Sequence, residues 1–95
     1  MSVAEYRALF LFAAKVGALE GYLYERPKTE PLSNWIDNID KMYQGLSNGV
    51  KKEINEVYVL VLQKILLYGE NVITDLLKKK LKAMLSLAEA YEAAR

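Results

Sequence analysis

The sequence predicts an all-α protein, a small up-down bundle of four helices. Three observations carry this. Apolar residues recur at spacings of three and four through most of the chain, which places them along one side of a helix. Two prolines and five glycines are too few for a many-turned β-fold. The turn-forming residues gather at a few points, Arg26-Pro27-Lys28-Thr29-Glu30-Pro31, Ser47-Asn48-Gly49 and Gly69-Glu70-Asn71, and leave long uninterrupted segments between them.

The first helix is expected over residues 3–24. One stripe of it is Val3, Tyr6, Phe10, Ala13, Gly17, Gly21 and Tyr24, and its neighbour is Leu9, Phe12, Val16, Leu19 and Leu23. Together they cover more than the usual apolar arc. The second helix, residues 34–45, has Ser33 as its expected N-cap and Trp35, Ile36, Ile39, Met42 and Tyr43 as its apolar face. Trp35 is expected to plug the space between the first two helices.

The third helix, residues 50–68, takes Ser47 or Asn48 as cap. It carries the run Val57-Tyr58-Val59-Leu60-Val61-Leu62, then Ile65-Leu66-Leu67-Tyr68. Six consecutive apolar residues surround a helix instead of lining one face of it. The fourth helix, residues 72–93, follows Asn71 as cap and shows Ile73, Leu77, Leu81, Met84, Ala88 and Tyr91 in a four–three alternation. The apolar phase also continues through Gly69, so helices three and four could be continuous. Such a helix, from Val50 to Glu92, would be about 65 Å long. A chain of this size has a radius of gyration of about 13 Å, so a break is expected. At 95 residues the whole of 1–95 is read as one helical domain.

Composition closes off much chemistry. The chain has no cysteine and no histidine, so thiolate chemistry, histidine general bases and Glu-x-x-His di-iron sites are unavailable. Glu53-x-x-Glu56 has the spacing of the first half of the magnesium clamp used by all-helical nucleotide pyrophosphohydrolases of the MazG type, although surface charge is the plainer reading of such pairs. The second half is missing, because the residue three beyond Glu70 is Ile73. Three arginines, Arg7, Arg26 and Arg95, are too few for the arginine-lined site of a small helical chorismate mutase. No cofactor, metal ligand or catalytic residue is expected, and the chain is read as a non-enzyme.

Lys78, Lys79 and Lys82, with Lys80 between them, form the densest charge run, a candidate nucleic-acid contact. Against that, the net charge is only +1, and no arginine or exposed aromatic accompanies the run. A solvated helix face is the plainer account. The apolar surplus of the first and third helices is the stronger signal. It predicts a homo-oligomer, a dimer, and contact with a further, unidentified protein partner, through Phe10, Ala13, Gly17, Gly21, Val57, Val59, Val61 and Leu66. No apolar stretch is long enough to span a bilayer and no secretory signal is recognised, so a cytoplasmic protein is expected. Abundant Lys and Glu without Cys or His is compatible with a thermophilic source.

Overall fold

Three of the four helices open on a hydroxyl that accepts from a first-turn N–H. The computed structural model describes residues 1–22, 31–68 and 73–94, with the side chain of Tyr68 excepted. It contains α1 (Val3–Tyr22), α2 (Leu32–Gln44), α3 (Asn48–Tyr68) and α4 (Asp75–Ala93). No strand occurs among the described residues. The chain is all-α with the four helices expected, in the expected order. It divides into two compact units, Met1–Ile54 and Asn55–Arg95, with the boundary inside α3.

In the first unit, Ser2 and Glu5 close a capping box on α1. The Glu5 N–H donates to Ser2 Oγ at 3.1 Å, and the Ser2 N–H donates to Glu5 Oε1 at 3.2 Å. Ser47 Oγ donates to Glu5 Oε2 at 2.9 Å and accepts from the Val50 N–H at 3.3 Å. One hydroxyl therefore caps α3 and ties it to the start of α1. Gly49 lies at this junction: a Cβ there would stand 2.9 Å from Glu5 Oε2, so a larger residue would push that carboxylate aside.

The second apolar stripe of α1 is the one turned inward. Phe12, Val16 and Leu19 are buried with Tyr22, and on α2 so are Ile36, Ile39 and Tyr43. The Phe12 and Tyr43 rings pair at 6.0 Å, and those of Tyr22 and Trp35 at 5.0 Å. Trp35 thus fills the place between α1 and α2 that the sequence suggests, with the Lys15 ammonium 5.4 Å above its ring.

α2 corrects one expectation. Its N-cap residue is Pro31, with φ −60° and ψ 140°, and Ser33 falls inside the first turn. The proline ring sets an extended approach to the helix, and the Asn34 N–H already bonds Pro31 O at 3.1 Å. The helix therefore opens at Leu32, two residues earlier than a polar cap at Ser33 would allow.

In the second unit, Tyr58, Val61, Leu62 and Ile65 of α3 and Leu81, Met84 and Ala88 of α4 are buried. The central part of the predicted α4 stripe is therefore core. Asn55 lies among these residues, fully buried. Its Nδ2 donates to Ala88 O and to Glu92 Oε1, both at 2.9 Å, and so fixes the register of α3 against α4.

α3 and α4 are separate helices. Thr74 has an extended backbone, φ −71° and ψ 160°, and its hydroxyl accepts from the Leu77 N–H at 3.2 Å. The expected cap at Asn71 and start at Val72 lie outside the described residues, as do Leu23, Tyr24 and most of the first proline break. The described helix starts at Asp75, three residues later than expected. No described helix is long and apolar enough to cross a membrane.

Candidate interaction surfaces

The first stripe of α1 faces away from the core. Val3 is 86% exposed and Phe10 74%, with Tyr6 and Leu11 also exposed. Further along the same side come Ala14, Gly17, Ala18 and Gly21, all exposed, and Ala13 at the margin. Arg7 is the one charged residue among the exposed positions of α1. This face is apolar near the start of the helix and nearly flat towards its end. A Cβ at Gly17 or Gly21 would meet no described atom within 4 Å. The described residues therefore give no packing reason for glycine at either position, although each costs a helix about 0.8–1 kcal/mol relative to alanine.

On α3 the expected interface residues part company. Val57 is exposed, Val59 and Leu66 are half-buried, and Val61 lies in the core at 8% exposure. Val57 and Val61, four residues apart, share one side of the helix and Val59 points the opposite way, so the edge of the core runs between Val57 and Val61. Leu60 and Leu67 are open instead, at 59% and 71%. They belong to the apolar run noted above, whose exposed members only the direction of the core could reveal.

Leu60 and Leu67 flank a trough along α3 and α4, within the second unit. One depression, of about 480 Å³, is lined by Glu56, Val59, Leu60, Gln63, Glu89 and Glu92. The next, of about 400 Å³, is lined by Gln63, Leu66, Leu67, Lys78, Lys82 and Leu85. Gln63 is common to both, so they form one channel with an acidic end, a polar centre and a basic end. Of the lysine run, Lys78 and Lys82 line this channel, while Lys79 is exposed elsewhere on α4. No group of three acidic residues able to hold a metal ion occurs among the described residues.

The Ser2 backbone N–H holds the Glu5 carboxyl below its ordinary value, with the Ser47 hydroxyl adding to the effect. Its three hydrogen-bond partners are structural, and it faces no cavity described above.

The sequence reading missed Asn55, Leu60, Leu67 and the Ser2–Glu5 box. Asn55 carried a usable signal, since it sits three and seven residues before Tyr58 and Leu62 on what proves to be the buried side. Ser2-x-x-Glu5 is a plain capping-box pattern. No family model, no curated protein and no solved structure matches the chain.

Proposed function

We propose that the protein is a non-enzymatic interaction module that self-associates and presents apolar helix faces to protein partners. The observation that carries this reading is the outer face of α1. Val3, Tyr6, Phe10 and Leu11 are exposed beside glycines against which no described residue packs. Fully burying one large apolar side chain contributes about 1.5–3 kcal/mol. Association itself costs roughly 4–15 kcal/mol. One such side chain cannot drive pairing, but four from each of two copies reach the range that can. A partner helix lying across Gly17 and Gly21 would approach closely, and the two glycines would then gain a packing role that no described residue gives them.

The lysine run offers weaker support for nucleic-acid binding. Lys78 and Lys82 share their channel with Leu66, Leu67 and Leu85, a lining suited to protein side chains more than to phosphates.

Sedimentation equilibrium over micromolar to near-millimolar concentrations tests the proposal. The wild-type chain should exceed its 10.8 kDa monomer mass as concentration rises. Phe10→Glu should lower that mass at a given concentration while leaving helical content unchanged, because Phe10 is outside the core. A wild-type chain that remains monomeric throughout would overturn the reading. If the chain instead binds mixed DNA at low salt, and Lys78→Glu with Lys82→Glu abolishes that binding, the nucleic-acid alternative takes its place.

A further inference from the structure

We infer that the α3–α4 trough seats a second copy of this chain in antiparallel orientation about a two-fold axis at Gln63, the acidic end of each copy against the basic end of the other. The inference rests on the proposal that the chain self-associates, and gives it a second contact beside the α1 face.

The argument begins with the order of charges. Along α4 the residues lining the trough are Lys78, Lys82, Leu85, Glu89 and Glu92, and along α3 they are Glu56, Val59, Leu60, Gln63, Leu66 and Leu67. Glu56 joins Glu89 and Glu92 at one end; Lys78 and Lys82 occupy the other. The face is therefore graded from negative to positive, with exposed leucines between. A two-fold axis superposes a face on its own reverse. A face of uniform charge would repel itself under that operation, whereas a graded face attracts itself at both ends. The uncharged Gln63, shared by both depressions, is the residue that meets its own copy. A primary amide suits that place, since it both donates and accepts and so pairs with an identical group.

The gradient also runs against the preference of α4 itself. A helix favours acidic residues in its first turn and basic residues in its last. α4 follows this at Asp75, but Glu92 stands in the last turn and no basic residue does. A partner lying antiparallel brings its own Lys78 and Lys82 towards that end. A negatively charged partner protein would match only one end of the trough, and a basic one only the other.

Charge reversal with mixing tests the seam. Variant A carries Lys78→Glu and Lys82→Glu; variant B carries Glu56→Lys and Glu89→Lys. Each should raise the dimer dissociation constant at low salt by about tenfold or more, because every substitution enters a two-fold interface twice. An equimolar mixture of A and B should form a heterodimer tighter than either homodimer, since both ends are again complementary. Association of the wild-type chain should weaken as salt rises to about 1 M, where screening acts within about 3 Å. The trough is not the seam if A and B associate as the wild type does, or if the mixture yields no heterodimer. If Phe10→Glu alone dissociates the wild-type chain and A and B do not, self-association stands and this seam falls. If the wild-type chain never associates, both fall. Circular dichroism of A and B checks that they fold, and the recovery expected on mixing cannot arise from an unfolded variant.

Discussion

Replacing Gly17 and Gly21 by alanine should stabilise the isolated chain and weaken its self-association. Both positions are exposed, and an added Cβ meets no described atom at either. The change in folding stability therefore reduces to the backbone. Gly17 lies well inside α1, where glycine costs about 0.8–1 kcal/mol relative to alanine, part of it through the greater freedom of the unfolded chain. Gly21 is one residue from the last described helical position, so its gain is smaller. The pair should add about 1–2 kcal/mol, on the order of 5–10 °C in melting temperature for a chain this size. Urea denaturation followed by circular dichroism measures it, at concentrations well below the dimer dissociation constant so that association does not contribute. Sedimentation equilibrium should show the opposite sign, because two methyl groups hold a second helix away from the α1 backbone. Lower stability would mean that the fold itself needs these glycines. Unchanged or tighter association would mean that no second helix approaches there.

Two further changes act on helix ends. Glu5→Gln should flatten the acid limb of the stability curve. The folded pKa of Glu5 is lowered, so its contribution is complete above the unfolded value of about 4.3 and is lost as pH falls through the folded value. Wild type and variant should therefore converge below that range in melts taken from pH 2 to pH 6. Thr74→Ala removes the hydroxyl that accepts from the Leu77 N–H, and should cost about 1 kcal/mol by chemical denaturation; a loss below a few tenths would show that the cap contributes nothing.

What could be read from the sequence, and what could not, follows from how sharply each helix is patterned. α4 has a narrow apolar stripe, and the spacing of Leu81, Met84 and Ala88 alone marks them as core. α1 has two adjacent stripes of similar hydrophobicity, so its periodicity announces a helix without saying which side is inside. The answer depended on the partner: the rings of Tyr43 and Trp35 on α2 meet Phe12 and Tyr22, and so turn Phe10 outward. The same indeterminacy placed Val61 among the interface residues although it is buried. The caps show a different limit. At Ser33 a good capping residue stood two positions after a proline whose ring had already set the helix entry, and the stronger local constraint prevailed. The charge-graded trough was not legible at all, because it joins Glu56 on one helix to Glu89 and Lys78 on another, and only the α3–α4 register brings these into line.

That register depends on Asn55, and Asn55→Asp shows how strongly. The substitution keeps the size of the side chain and replaces its donor by a carboxylate. Nδ2 of Asn55 stands 2.9 Å from both Ala88 O and Glu92 Oε1, so an ionised carboxylate in its place would face two acceptors with no proton to offer either. Leaving a buried charge without a partner costs about 3–5 kcal/mol. Burial and the Glu92 carboxylate both favour the neutral acid, so the folded pKa of the introduced group rises above the ordinary value of about 3.9. The sign is then opposite to that at Glu5. The penalty is small while both states are protonated, below the unfolded pKa, and grows as pH rises towards the raised folded pKa. Asn55→Asp should approach wild-type stability near pH 3 and lose several kcal/mol by pH 7, as measured by urea denaturation across that range. A uniform loss at all pH values would mean that the shape of the amide, and not its donor, holds the two helices in register. No loss at pH 7 would mean that Asn55 does not order them, and the alignment of the acidic and basic ends of the trough would have to come from the apolar contacts of Leu81 and Met84 alone.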